Sequence, residues 1–345
     1  FPRLRDLCQQ HGARFQPIDL RWGVSEEASL DQQAMSICLG EVARCQQTSP
    51  RPNFIVLLGD RYGWCPPPAH IPAGEYDQLR RVVTKTEDAA LLDNWYALDE
   101  NAVPPEMRLK PRGTGTIQYE QWQPVEEGLH AILAEAARQL GWGEEKLLPF
   151  TTSATEQEIH AGALQVRPAP DHVLCFFREI QGLPGGFNAQ AFQAALLARI
   201  KAEPAAGSVN QAAQEHIKAL LQMPPSATAR DFAERIKAAL DQTPKATIEH
   251  DLLSLIRQAL VDFSAKDFID MHESDWTIDE KAHTAQNKLK ADLAAYVPGN
   301  VYPYRVQWTG SGITTEHVDR LCEDVYQSLS KIILSEVKPE TTGIT

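Results

Sequence analysis

The stretch Phe54-Ile55-Val56-Leu57-Leu58-Gly59-Asp60-Arg61-Tyr62-Gly63-Trp64 says most about the architecture of this chain. Five apolar residues follow one another without a polar alternate. So short a run, closed by glycine, reads as a strand covered on both faces, as strands of parallel sheets are. The loop behind it carries Asp60, Arg61 and Tyr62 between two glycines, with Trp64 after the second. In open α/β sheets ligands bind where loops leave the carboxyl ends of strands, so this loop is a candidate substrate-binding element.

Upstream, Met35, Ile37, Cys38, Leu39, Val42 and Cys45 mark a helix with one apolar side, and Ser25–Gln33 is polar. Ala13–Leu20 reads as a strand entered by a turn at Gly12. It runs into Asp19-Leu20-Arg21-Trp22-Gly23-Val24, a second loop with Asp, Arg, aromatic and Gly. Phe1, Leu4, Leu7 and Cys8 recur at helical spacing, so the chain opens inside a helix without an initiator Met, and a preceding segment is expected.

Downstream, Pro66-Pro67-Pro68 opens a proline- and aromatic-rich insertion over 66–150, partly helical, with one helix near Val125–Leu140. Alternation resumes with a helix over Ser153–Leu164 and a buried strand, Val173-Leu174-Cys175-Phe176-Phe177. Residues 185–260 shift to Ala, Gln and Leu. Their apolar spacing predicts four helices, through Phe192/Leu196/Ile200, Val209/Ala213/Ile217/Leu220, Phe232/Ile236/Leu240 and Ile248/Leu252/Leu255/Ile256/Ala259. Over 261–337 the sheet pattern returns, with a helix at Leu289/Leu293/Tyr296, a strand at Val301–Trp308 and a long helix from Val318 to Ile332. Lys338–Thr345 reads as a linker. The expected fold is a doubly wound parallel α/β sheet, its first part over 1–184 and its last over 261–337, with an α-helical insertion at 185–260.

Composition narrows the function. The 345 residues carry 33 Lys+Arg against 46 Asp+Glu, a formal net charge of -13, and no basic stripe suggests direct nucleic-acid binding. No apolar run is long enough to cross a bilayer. The six cysteines form no CxxC pair and mostly sit in apolar runs, as reduced thiols of a cytoplasmic protein do. The ten histidines show no metal spacing, so no metal is expected. There is no P-loop, GxGxxG, HExxH or GxSxG string.

The two Asp/Arg/aromatic/Gly loops are candidates for one crevice, with Trp22 or Trp64 as a stacking surface and Arg21 or Arg61 as a cation. An internal Arg–carboxylate network holding the loops rigid is the competing reading. A third cluster, Thr151-Thr152-Ser153-Ala154-Thr155-Glu156-Gln157-Glu158-Ile159, stands at a helix start. Ser153 with Glu156, or Thr155 with Glu158, matches a capping box. Only one box can form, and the other glutamate is free to hold ribose hydroxyls or an oxocarbenium-like centre.

Together these strings resemble the TIR-like N-terminal domain of NACHT and WD-repeat proteins, whose relatives include nephrocystin, telomerase-associated proteins and bacterial STAND NTPases. The resemblance rests on Phe1-Pro2-x-Leu4, Asp19–Val24, Cys38-Leu39-Gly40-Glu41-Val42, Phe54–Trp64, Thr155-Glu156-x-Glu158-Ile159 and Cys175-Phe176-Phe177-Arg178. It implies a TIR/flavodoxin-like sheet, a further strand before the first helix, and a NACHT ATPase and sensor domains following in the same chain. It implies an effector or signalling role in an NLR-like innate-immunity or antiphage defence protein, exerted by self-association. It also implies cleavage of NAD at the nicotinamide–ribose bond, with NAD as substrate rather than cofactor. The catalytic glutamate of such enzymes falls by position on Glu158, with Asp19, Arg21, Trp22, Asp60, Arg61, Tyr62 and Trp64 around the substrate. The alternative is a non-catalytic oligomerisation and protein-interaction module, favoured by Ala154 standing where those enzymes usually carry an aromatic. The enzymatic reading requires Glu158, Trp22 and Trp64 to share one hollow at a rim of the sheet.

Overall fold

The computed structural model describes residues 1–337 apart from 21–24, 50, 113–118, 167–171, 184–189, 191, 195, 197–217, 225–226, 228, 264, 266, 273–277 and 310–311. At its centre is a three-stranded parallel sheet of β1 (Phe54–Leu58), β5 (Val173–Gln181) and β6 (Val301–Gln307), in the order β1-β5-β6. The apolar run read from the sequence is β1. In β5, Val173 to Phe177 are all buried, as a strand packed on both faces must be. The register sets Phe176 opposite Tyr302, and their rings stack at 5.1 Å, a cross-strand aromatic pair in the middle of the sheet.

Helices cover both faces. On one, α8 (Ala154–Ile159), the π-helical turn His160–Leu164 and α11 (Glu280–Tyr296) bury Ile159, Ala163, Leu289 and Leu293 against Val56, Leu58, Val173 and Cys175. On the other, α1 (Pro2–Gln10) and α12 (His317–Glu336) press Leu4, Cys8, Leu329 and Ile333 onto Leu174 and Phe176. Opposite faces of one strand thus feed two separate cores, which is the period-two consequence of pleating. The helix α3 (Ala34–Thr48) buries Cys38 and Val42, and its Gln46 Nε2 donates to Ala161 O at 2.8 Å, satisfying a carbonyl of the π turn.

The expected strand at Ala13–Leu20 does not form. Phe15 and Pro17 are half-buried while Arg14, Gln16 and Ile18 are exposed, so the alternation of a strand is present. The segment nevertheless joins no ladder, and Pro17 has no N–H to give one. The polar stretch after it contains a short helix, α2 (Glu26–Leu30), started by Ser25 Oγ accepting from Ala28 N at 3.3 Å.

Between β1 and α8 the chain builds a body with its own core. An antiparallel sheet ordered β2-β4-β3 (His70–Pro72, Glu106–Leu109, Tyr96–Asp99) carries α4 (Ala73–Val82), α5 (Thr86–Trp95), α6 (Tyr119–Gln139) and α7 (Glu144–Thr151). Ile71, Leu79, Leu92, Trp122, Leu129 and Leu133 are fully buried in it. The sequence reading anticipated the helix but not the sheet, whose strands are three or four residues long, too short for an alternation to register. Of the four helices expected over 185–260, α9 (Ala229–Gln242) and α10 (Ile248–Phe263) are present. They pack Phe232, Ile236, Ile256 and Leu260 on Phe192 and Leu196. Most of the Val209–Leu220 helix, and the linker 338–345, lie outside the described residues. Among the described residues no helix is long and apolar enough to cross a membrane.

Candidate functional site

The loop that leaves the carboxyl end of β1 is fixed residue by residue. At Gly59 the guanidinium of Arg178 lies so near that an added Cβ would stand 2.5 Å from its Nη2, and any larger residue would have to push that side chain aside. Gln286 of α11, almost fully buried, donates to the Gly59 carbonyl at 2.9 Å. Asp60 pairs with Lys290 at 3.2 Å, their side chains 14% and 15% exposed, and Lys290 also reaches the Arg178 carbonyl at 3.1 Å. Arg61 is half exposed and stands 3.6 Å from Asp270. The same Asp270 carboxylate accepts from the backbone N–H groups of Tyr62 and Gly63. Gly63 turns the chain at a φ of +89°, which residues with a Cβ rarely adopt.

Tyr62 carries the loop onto α8. Its hydroxyl accepts from Ser153 N at 3.2 Å and donates to the Glu156 carboxylate, while Ser153 Oγ accepts from Glu156 N at 3.2 Å. Of the two possible capping boxes, the Ser153–Glu156 one is used, in a form where a phenol stands between the N-cap N–H and the glutamate. Burial, then the bond to Glu156, push the Tyr62 phenol far above its ordinary pKa. His160 Nε2 lies 3.7 Å from Glu156 on the other side.

Glu158 faces α3, its carboxyl near the Cys38 thiol. Burial raises the Glu158 pKa; burial and the Glu158 charge push the Cys38 thiol up to about 11. Trp64 keeps 45% of its surface exposed, and its carbonyl accepts from Ala154 N at 2.9 Å.

A cleft of about 390 Å³ opens beside this loop, lined by Arg61, Tyr62, Gly63, Cys65, Asp267 and Asp270, with Asp279 at its edge. Asp279 caps α11, accepting from Lys281 N and Ala282 N at 3.0 Å. Two of its three carboxylates therefore already hold backbone, and one guanidinium faces them. Chemically this is an acidic mouth able to seat a group that donates hydrogen bonds. Of the sequence candidates, Arg61 and Tyr62 line it. Asp60 is engaged with Lys290, and neither Trp64 nor Glu158 lines it. Asp19 is half-buried, and Arg21 and Trp22 lie outside the described residues. The acidic side, Asp267, Asp270 and Asp279, was missed by the sequence reading. Asp279 had a signal, an acid just ahead of an apolar-periodic segment; Asp270 had none. Among the described residues no group of His, Cys, Asp or Glu can hold a metal ion.

Comparison with known proteins gives the chain a context. It is 34% identical over 188 residues to the mouse NACHT domain- and WD repeat-containing protein 1, a match covering 53% of this chain and 12% of that protein. To the human protein of the same name it is 36% identical over 186 residues, covering 52% of this chain and 12% of the relative. Rat telomerase protein component 1 is 37% identical over 71 residues, 21% of this chain and 2% of that protein. No family model matches the chain, and no solved structure matches it. The chain thus spans about an eighth of the length of the NACHT and WD-repeat relatives, and those proteins, with telomerase protein component 1, are its homologues.

Proposed function

We propose that this chain is the TIR-like signalling module of a STAND protein, followed by a NACHT ATPase and a sensor, that works in the cytoplasm by self-association rather than by turnover. The observation that carries this reading is the separation of the candidate nucleophile-side groups. Neither Glu158, whose side chain lies beside Cys38, nor Trp64 lines the cleft beside β1. A catalytic carboxylate has to reach the reacting atoms within a hydrogen bond or one water, and a stacking indole has to face the cleft. The similarity to NACHT and WD-repeat proteins supports the context.

NAD cleavage at Glu158 is the second reading. It is favoured by the raised pKa of that half-buried carboxyl, a state common at catalytic acids. Expressed in cells as part of the full-length protein, Glu158→Gln should retain its signalling output, whereas Lys237→Glu on the exposed face of α9 should lose it. Loss of output in Glu158→Gln with retained output in Lys237→Glu would overturn the assembly reading.

A further inference from the structure

Arg178 is the first residue of β5 beyond the end of β1. Leu58 closes β1 opposite Phe177, whereas Arg178 to Gln181 pair with β6 alone. A guanidinium occupies the corner this leaves in the sheet, since an added Cβ at Gly59 would stand 2.5 Å from Arg178 Nη2 and 3.1 Å from its Cζ. By strand alternation Arg178 shares the face of Leu174 and Phe176, which α1 and α12 cover. Leu57, opposite Phe176 in the register and on the same face, is nevertheless 44% exposed. The covering helices stop short of this corner, and it opens to solvent.

The half-buried Arg178 side chain has no acceptor there. Its Nε is buried without a hydrogen-bond partner, and among the described residues its guanidinium enters no ion pair. Arg51, Arg61, Arg80 and Arg108 each face a carboxylate. Asp60, the acid next to Gly59, is held by Lys290 at 3.2 Å. Lys290 also reaches the Arg178 carbonyl at 3.1 Å, so a second cation stands behind the strand. The ring of Phe268 forms one wall, its centroid 5.6 Å from the guanidinium carbon. A charge partly withdrawn from water without a partner is costly, and an unmatched buried donor calls for an ion, a ligand or water.

We propose that Arg178 receives a small oxyanion, a carboxylate or phosphate group, at the open corner between Gly59 and Phe268. Open α/β sheets bind ligands at the carboxyl ends of their strands, and a planar guanidinium matches both groups better than any other side chain. The lining of the cleft does not include Arg178, so this site stands whether the cleft serves assembly or turnover. The competing account is that hydration alone satisfies the guanidinium.

Titration calorimetry of the intact 345-residue chain with inorganic phosphate and with acetate separates the two. At least one of these ions should bind at a single saturable site, and the tighter of the two identifies the group. Arg178→Gln should weaken that binding about tenfold or more. Arg305→Gln, which removes an exposed arginine paired with Glu179, should leave it unchanged. Gly59→Ala pushes the guanidinium aside and keeps its charge, and it should weaken binding as well. No saturable binding of either ion, or binding that Arg178→Gln leaves intact, would overturn the site. Should Arg178→Gln fail to fold, Gly59→Ala decides in its place, and undiminished binding there overturns the site equally.

Discussion

At the scale of single residues, the candidate site is governed by where three carboxylates found their donors. Glu156 took the Tyr62 hydroxyl, Asp270 the Tyr62 and Gly63 N–H groups, and Asp279 the Lys281 and Ala282 N–H groups. Removing the phenol by Tyr62→Phe leaves the buried Ser153 N–H without its acceptor and Glu156 without a donor. A loss of about 1–3 kcal/mol in chemical denaturation is expected, and an unchanged midpoint would show that the bridge holds nothing. Glu158 makes the opposite case. Burial raises its folded pKa above the ordinary value, so its stabilising influence belongs to the protonated form, complete below the unfolded pKa and lost as pH rises through the folded one. Glu158→Gln should therefore raise the melting temperature at pH 7, with a gain that shrinks to nothing near pH 4. A lower melting temperature at pH 7 would contradict this assignment of its environment. Sequence reading had recognised that only one capping box could form; it had no means of telling that a phenol from another loop would select Ser153.

At the scale of elements, what was legible is what sequence-local physics controls. The unbroken apolar runs of β1 and β5 and the periodic faces of α3, α11 and α12 depend on each segment's own pattern. Residues 13–20 show the limit, because an alternating segment becomes a strand only when a partner offers it a ladder. The second sheet shows another, since strands of three or four residues carry too little pattern. A third is the π turn, His160–Leu164, where a Cβ at Gly162 would come within 2.6 Å of the Phe54 ring. Gly162 is there because α8 and β1 meet at that point. Gly162→Ala must push the ring or the turn aside, and overpacking of this kind costs about 1–3 kcal/mol. A melting curve that does not move would mean that the contact yields freely.

At the scale of the molecule, the parts of the site come from segments far apart in the chain: the loop after β1, the start of α8, the insertion, and Asp267–Asp279. The loop was visible as Gly59–Trp64 because its residue types are unusual together, whereas Asp270 became part of it only through the fold. The insertion read as an interruption of the sheet, and Arg112 joins it to α2 through Ser29. The lining of the cleft gives Glu158 no seat in it. The most direct test is NAD consumption by the full-length protein, oligomerised, compared between the natural chain and Glu158→Gln. Equal, background-level consumption is expected; turnover by the natural chain that Glu158→Gln abolishes would contradict a role confined to assembly.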